Sequence, residues 1–198
     1  MPYSLLRHLT DCGDTAVTVP LAILMFGFLA LAGERRLAVG WAIIVLAVVA
    51  SISGMKLVLG ICGPALIGPA LRSPSGHTAI SLVVYGGYAA IVSAAWRPGA
   101  RLLFRAAAIL FALGIAVSRV VLRVHSPAEV AVGIAVGSIA LAVLYIVVAR
   151  SRPGPLRFRW LAMSVAIAFL LFYGDRWPAE RALHRFAALF DMIRPWCT

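Results

Sequence analysis

Residues 37–58 read LAVGWAIIVLAVVASISGMKLV, and this stretch decides the fold class. One charge, Lys56, interrupts it near the end. A helix rises 1.5 Å per residue, so a run of roughly 20 apolar residues covers the ~30 Å hydrocarbon core of a bilayer. Working outward, runs of the same character occupy 15–32, 77–95, 102–121, 127–149 and, more briefly, 160–173. They are continuous rather than alternating, which excludes a transmembrane barrel. In hydrocarbon each segment must then satisfy its own backbone as a helix. The expectation is an all-α, polytopic membrane bundle of about six transmembrane helices, forming one domain over 1–198.

Composition agrees. The chain is 63% hydrophobic and 13% charged with a mean hydropathy of +0.99, where a soluble domain is about half apolar and a quarter charged. A net charge of +11 in a soluble protein would suggest nucleic acid. Here the basic residues sit in short loops, without a basic stripe of interleaved aromatics, so nucleic acid is excluded as a partner and the bilayer takes its place. Residues 1–14 carry Arg7, His8, Asp11 and Asp14 and lack the core of a cleavable signal peptide. The first apolar run is expected to serve as the insertion signal.

Six spans put loops 33–36, 96–105 and 150–159 on one face, with nine arginines. The other face holds both ends of the sequence and loops 59–76 and 122–126. Its Lys and Arg residues are as numerous until Lys56, Arg72, Arg119 and Arg123 are set aside as site candidates. The remaining bias directs the first face to the cytoplasm and the site outward, to the periplasm of a bacterial inner membrane. Cys12, Cys62 and Cys197 fall on that outer face without zinc-ligand spacing, compatible with one disulfide. Residues 178–194 place Leu183, Phe186, Leu189, Phe190 and Ile193 at helical spacing between arginines. That pattern suits an interfacial amphipathic helix or one packed on the end of the bundle.

The polar residues that remain are concentrated. Pro74-Ser75-Gly76-His77 opens an apolar run, so unpaired amides and a positive dipole end face whatever lies before the helix, as a phosphate requires. Gly76 allows close backbone approach, and Ser75 can cap the helix or donate to a phosphate oxygen. His77 stands where it can protonate a leaving oxygen. Taken alone this is equally a Ser-Gly turn with an interfacial histidine. Further on, Ser118-Arg119 ends one run and His125 precedes the next, whose start at Ser126-Pro127-Ala128-Glu129 has the form of a capping box. Glu129, four residues after His125, can also fix the tautomer of that imidazole. Lys56 alone would snorkel; beside two histidines it can hold a phosphate oxygen.

Together these residues resemble the type 2 phosphatidic acid phosphatase (PAP2) family, relatives of the vanadium haloperoxidases. The family pattern is Lys-x6-Arg-Pro, Pro-Ser-Gly-His, then Ser-Arg-x5-His-x3-Asp. The resemblance covers about 54–133. It departs at Gly63, where arginine is usual, and at Glu129, where aspartate is. It implies phosphoryl transfer without a metal or other cofactor: His125 as nucleophile, Glu129 orienting it, and His77 as proton donor. Lys56, Ser75, Gly76 and Arg119 would bind the phosphate oxygens, with Arg72 or Arg123 as candidates to replace the missing guanidinium. A site at headgroup level favours a lipid phosphate as substrate: undecaprenyl diphosphate, phosphatidylglycerol phosphate or phosphatidic acid. A phosphotransferase on the same scaffold, or a non-catalytic lipid-phosphate binder, are the alternatives. A transporter would show helices broken near the midplane.

Overall fold

The computed structural model describes residues 2–66, 73–151, 153 and 158–174. Every element among them is helical: α1 (Pro2–Asp11), α2 (Thr15–Leu31), α3 (Arg35–Leu66), α4 (Gly76–Val92), α5 (Pro98–Val121), α6 (Pro127–Ser151) and α7 (Phe158–Phe172). The six expected spans correspond to α2–α7. Ser4–Leu31, Arg35–Ile61, Pro98–Val121 and Pro127–Ser151 are long and apolar enough to cross a bilayer, while Gly76–Val92 and Leu161–Phe172 are shorter apolar helices. Large side chains such as Leu31, Leu46, Leu103, Leu110, Ile139 and Leu170 point outward; in a chain of this composition the bilayer covers them. By its apolar helices the chain is a multi-pass membrane protein.

Two boundaries and one additional helix differ from expectation. The segment from Gly60 onward stays helical to Leu66, through Gly63 and Pro64. One glycine costs only about 1 kcal/mol in a helix, too little to end a long helix whose propagation adds one hydrogen bond per residue. α5 begins at Pro98, before the expected 102, because Pro98 takes the first-turn position that proline suits. α1 was not expected at all. Leu5, Leu6 and Leu9 lie on one face of it, and it packs against α5. The amphipathic segment expected at 178–194 lies outside the described residues.

α4 is the axis of the bundle, packed against α2, α3, α5 and α6. It has no charged side chain beyond His77, so it can be buried on every side. Small residues let α6 close on it. A Cβ on Gly133 would come within 2.6 Å of the Ser75 carbonyl oxygen, and one on Gly137 within 2.9 Å of that of Ala79. Gly133 and Gly137, four apart, form a small-xxx-small stripe, which substitutes close backbone approach for the hydrophobic drive that lipid removes. In return Leu141 and Leu144 of α6 fit over Gly86 and Gly87 of α4. Trp41 of α3 seals the same region, its Nε1 donating to the Ala22 carbonyl at 2.9 Å. At the far end of α4, Arg105 donates to Ser93 Oγ and to the Ala90 carbonyl, both at 2.9 Å, and lies over the Tyr145 ring. A cation at a helix C-terminus complements its dipole, so Arg105 is part of α5 and a cap for α4 rather than a loop charge.

Gly137→Leu would push α4 and α6 apart and is expected to cost at least the ~1–3 kcal/mol of an overpacked core, read as a lower unfolding temperature in detergent. Gly27→Ala, where nothing lies within 4 Å, should change stability by no more than about 1 kcal/mol.

Candidate active site

The site forms where the start of α4, the end of α5 and the start of α6 meet. α5 closes with the amides of Arg123 and Val124 donating to the carbonyls of Val120 (2.9 Å) and Arg119 (3.0 Å). This is a Schellman ending. The position that ordinarily takes glycine is occupied by Arg123, with φ of 55°. α2 ends the same way with a glycine, Gly33 at φ 83°, where the Glu34 amide reaches Leu29 O at 2.9 Å. The strained version is the one that leads to His125, whose own amide donates to Arg119 O at 3.2 Å.

The capping box forms as the spacing predicts. The Glu129 amide donates to Ser126 Oγ at 3.2 Å, and the Ser126 amide to Glu129 Oε2 at 3.0 Å. The same Oε2 lies 3.0 Å from His125 Nδ1. Glu129 Oε1 reaches in the other direction and accepts the Ser73 amide at 2.8 Å, while its main-chain carbonyl accepts the Ser75 amide at 3.1 Å. One residue thus ties the Pro-Ser-Gly-His turn to the His125 turn. The extra methylene of glutamate is accommodated by this second reach. Since a carboxylate only accepts, His125 Nδ1 carries the hydrogen, and Nε2 keeps its lone pair.

His125 is buried, in the turn between spans. Burial is the main cause that holds its pKa below the ordinary 6.5; the hydrogen bond it donates to Glu129 opposes this, and the positive charges of Arg119 and Lys56 reinforce it. The neutral form is therefore favoured at pH 7. The same balance places Lys56, on α3, within electrostatic reach of His125.

The other expected residues fall as follows. Gly76 is the first residue of α4, and the amides of Gly76, His77 and Thr78 have no acceptor within the helix. Ser75 occupies the N-cap position, but its side chain makes no capping bond. It is fully buried and accepts instead from Thr78 Oγ1 at 2.9 Å. Of the two roles expected for Ser75, capping is the one not taken, since the Glu129 contacts already fix that turn. Arg119 is 7% exposed and donates from Nη1 to Thr10 Oγ1 at 2.9 Å. Arg123 is exposed, and Arg72 lies outside the described residues. Cys12 is a free thiol whose Sγ contacts the His8 carbonyl at 3.4 Å; the disulfide question for Cys62 and Cys197 falls outside the described side chains.

Two partners were invisible from the motifs. Asp14, which caps α2 by accepting the Ala16 amide at 2.9 Å, presents its other oxygen to His77 Nε2 at 3.4 Å. Thr10, in α1, meets Arg119. The only sequence signal was Asp14-Thr15 before the first apolar run, which announces a helix start and nothing of what the carboxylate faces.

Arg123→Gly should relieve the left-handed strain and raise stability by about 1 kcal/mol, measured as a shift in unfolding temperature. Retention of turnover in that variant would remove Arg123 from phosphate binding, and a rise in KM would place it there.

Residues 60–153 match the sequence model of the PAP2 superfamily. The match contains both histidines, Arg119 and Glu129, and begins four residues after Lys56. No curated protein and no solved structure matches the chain. The chain is thus a multi-pass membrane protein in which residues 60–153 are similar to the PAP2 superfamily.

Proposed function

We propose that the protein is a phosphatase acting on a lipid phosphate or diphosphate through a phosphohistidine on His125. The observation that carries this reading is the His125–Glu129 pair at 3.0 Å, with Glu129 also fixed by the Ser73 amide. It supports Nε2 as an oriented, neutral nucleophile within electrostatic reach of Arg119 and Lys56. In the first step the Nε2 lone pair forms a bond to phosphorus, the bond to the leaving oxygen breaks, and His77 gives that oxygen a proton. In the second step water forms the new P–O bond and the P–N bond breaks, with His77 taking the water proton. Lys56, Arg119 and the first amides of α4 supply fixed donors for the charge on the equatorial oxygens. Ser75, Arg72 and Arg123 are proposed only as supporting contacts. A site framed by membrane-spanning helices supports a lipid substrate, and the arginine bias supports a site facing the periplasm of a bacterial inner membrane. Undecaprenyl diphosphate, phosphatidylglycerol phosphate and phosphatidic acid are the substrates to offer.

The direct test is phosphate release by the purified protein in detergent, with EDTA present. Wild type should release phosphate regardless of chelation, and His125→Ala should lose at least about 10²-fold in turnover. A ³²P-labelled substrate should leave an acid-labile label on wild type and none on His125→Ala. Release that requires a divalent cation, or that survives His125→Ala, would overturn the mechanism. Label passed to added glycerol or lipid alcohol rather than to water would identify a phosphotransferase.

pH provides an independent prediction. Because burial, Arg119 and Lys56 hold His125 below 6.5 against the opposing pull of Glu129, the neutral nucleophile persists under mildly acid conditions. The acid limb of kcat/KM should therefore fall below pH 6.5. The sign for stability is the same: the unfolded chain takes up the proton first, so folding stability decreases as pH drops through 6.5.

A further inference from the structure

The site has two histidines, and the structure gives each its own carboxylate. We propose that Asp14, in the N-terminal turn outside the matched family segment, is the positioning residue for His77 as proton donor. The inference rests on the phosphatase reading above.

The turn that bears Asp14 is fixed from several directions. Asp14 Oδ1 accepts the Ala16 amide at 2.9 Å, and its carbonyl accepts the Thr18 amide and hydroxyl, both at 2.9 Å. Beside it, the Cys12 carbonyl accepts the Tyr85 hydroxyl of α4. Gly13 lies flat on the bundle: a Cβ there would come within 2.6 Å of Ile115 Cγ2 and 2.9 Å of Ser81 Oγ. Thr10, four residues earlier, holds Arg119. Asp14 is 8% exposed, so its remaining oxygen, Oδ2, is held at His77 rather than sampling water.

The geometry determines which nitrogen does the chemistry. Nε2 is the atom 3.4 Å from Asp14 Oδ2. With Nε2–H kept on Asp14, Nδ1 is the nitrogen that delivers a proton. As the leaving P–O bond breaks, its electron pair goes to the leaving oxygen and the Nδ1 proton joins that oxygen. In the water step Nδ1 recovers a proton from water. Asp14 never loses or gains a proton; it orients the ring and supports the imidazolium before each delivery, as a buried carboxylate does for a catalytic histidine.

A leaving group that needs no proton should not need Asp14. The test uses two phosphate monoesters matched in tail length: a long-chain alkyl phosphate, whose leaving group is a basic alkoxide unless protonated, and the phosphate of a nitrophenol bearing the same alkyl chain on its ring, whose leaving group is a stable phenolate. Asp14→Asn keeps a good N-cap for α2 while removing the charge; Asp14→Ser is the second variant if the first folds poorly. Expected is a fall in kcat of about 10²-fold on the alkyl phosphate, with KM unchanged, and a fall of only about threefold or less on the nitrophenyl ester. Equal losses on both substrates, or no loss on either, would overturn the proposal while leaving the phosphatase reading intact. Wild-type protein inert on both substrates would overturn that reading and this inference with it.

Discussion

The Glu129 carboxylate is the constraint on which the rest of the site depends. It accepts from Ser73, His125 and Ser126, and its own carbonyl accepts from Ser75. These donors come from two turns that are far apart in sequence, so the start of α4 and the start of α6 are held as one unit. Buried carboxylates are costly unless their oxygens are saturated, and here each oxygen has at least one donor. Beneath this bridge, Gly133 brings the α6 backbone against the Ser75 carbonyl. Helix packing and the polar bridge therefore enforce the same geometry, which is what a preorganised site requires.

Two helix endings show how the chain distributes strain. α2 turns into α3 through Gly33, which adopts its left-handed conformation without a steric penalty. α5 turns towards His125 through Arg123 in the same conformation, where a side chain is unfavourable. Strain of this kind clusters where a side chain must be aimed rather than where a connection must merely be made. The remainder of the α5–α6 turn, from Val124 to Ser126, is short and each of its amides is bonded, so the cost is confined to one residue.

Much of this was legible in the sequence. The apolar runs located α2–α7, because in a membrane hydropathy and backbone satisfaction point to the same segments. Ser126 and Glu129 announced their capping box, since that motif is local. His77, His125, Arg119 and Lys56 stood out as polar residues that an apolar chain would otherwise exclude. What could not be read was anything depending on tertiary approach. Glu129 reaching Ser73, Ser75 turning to Thr78 and Asp14 meeting His77 join residues with no shared local pattern. α1 was missed for a different reason: it is too short to span, and its leucines are too few to form a run. Gly60, Gly63 and Pro64 misled in the opposite direction, because single breaker residues do not end a helix that is already long and propagating.

The pairing of Thr10 with Arg119 spans 109 positions of chain. During synthesis the N-terminal turn is complete while the residues it must contact do not yet exist. α2 and α3 enter the bilayer with Asp14 and Thr10 still lacking His77 and Arg119. Only when α6 has joined can Glu129 lock the two turns, so the site matures as the last act of assembly rather than growing helix by helix. Contacts of such long separation form slowly. Until then the polar side chains of the two turns lack the partners they meet in the folded bundle.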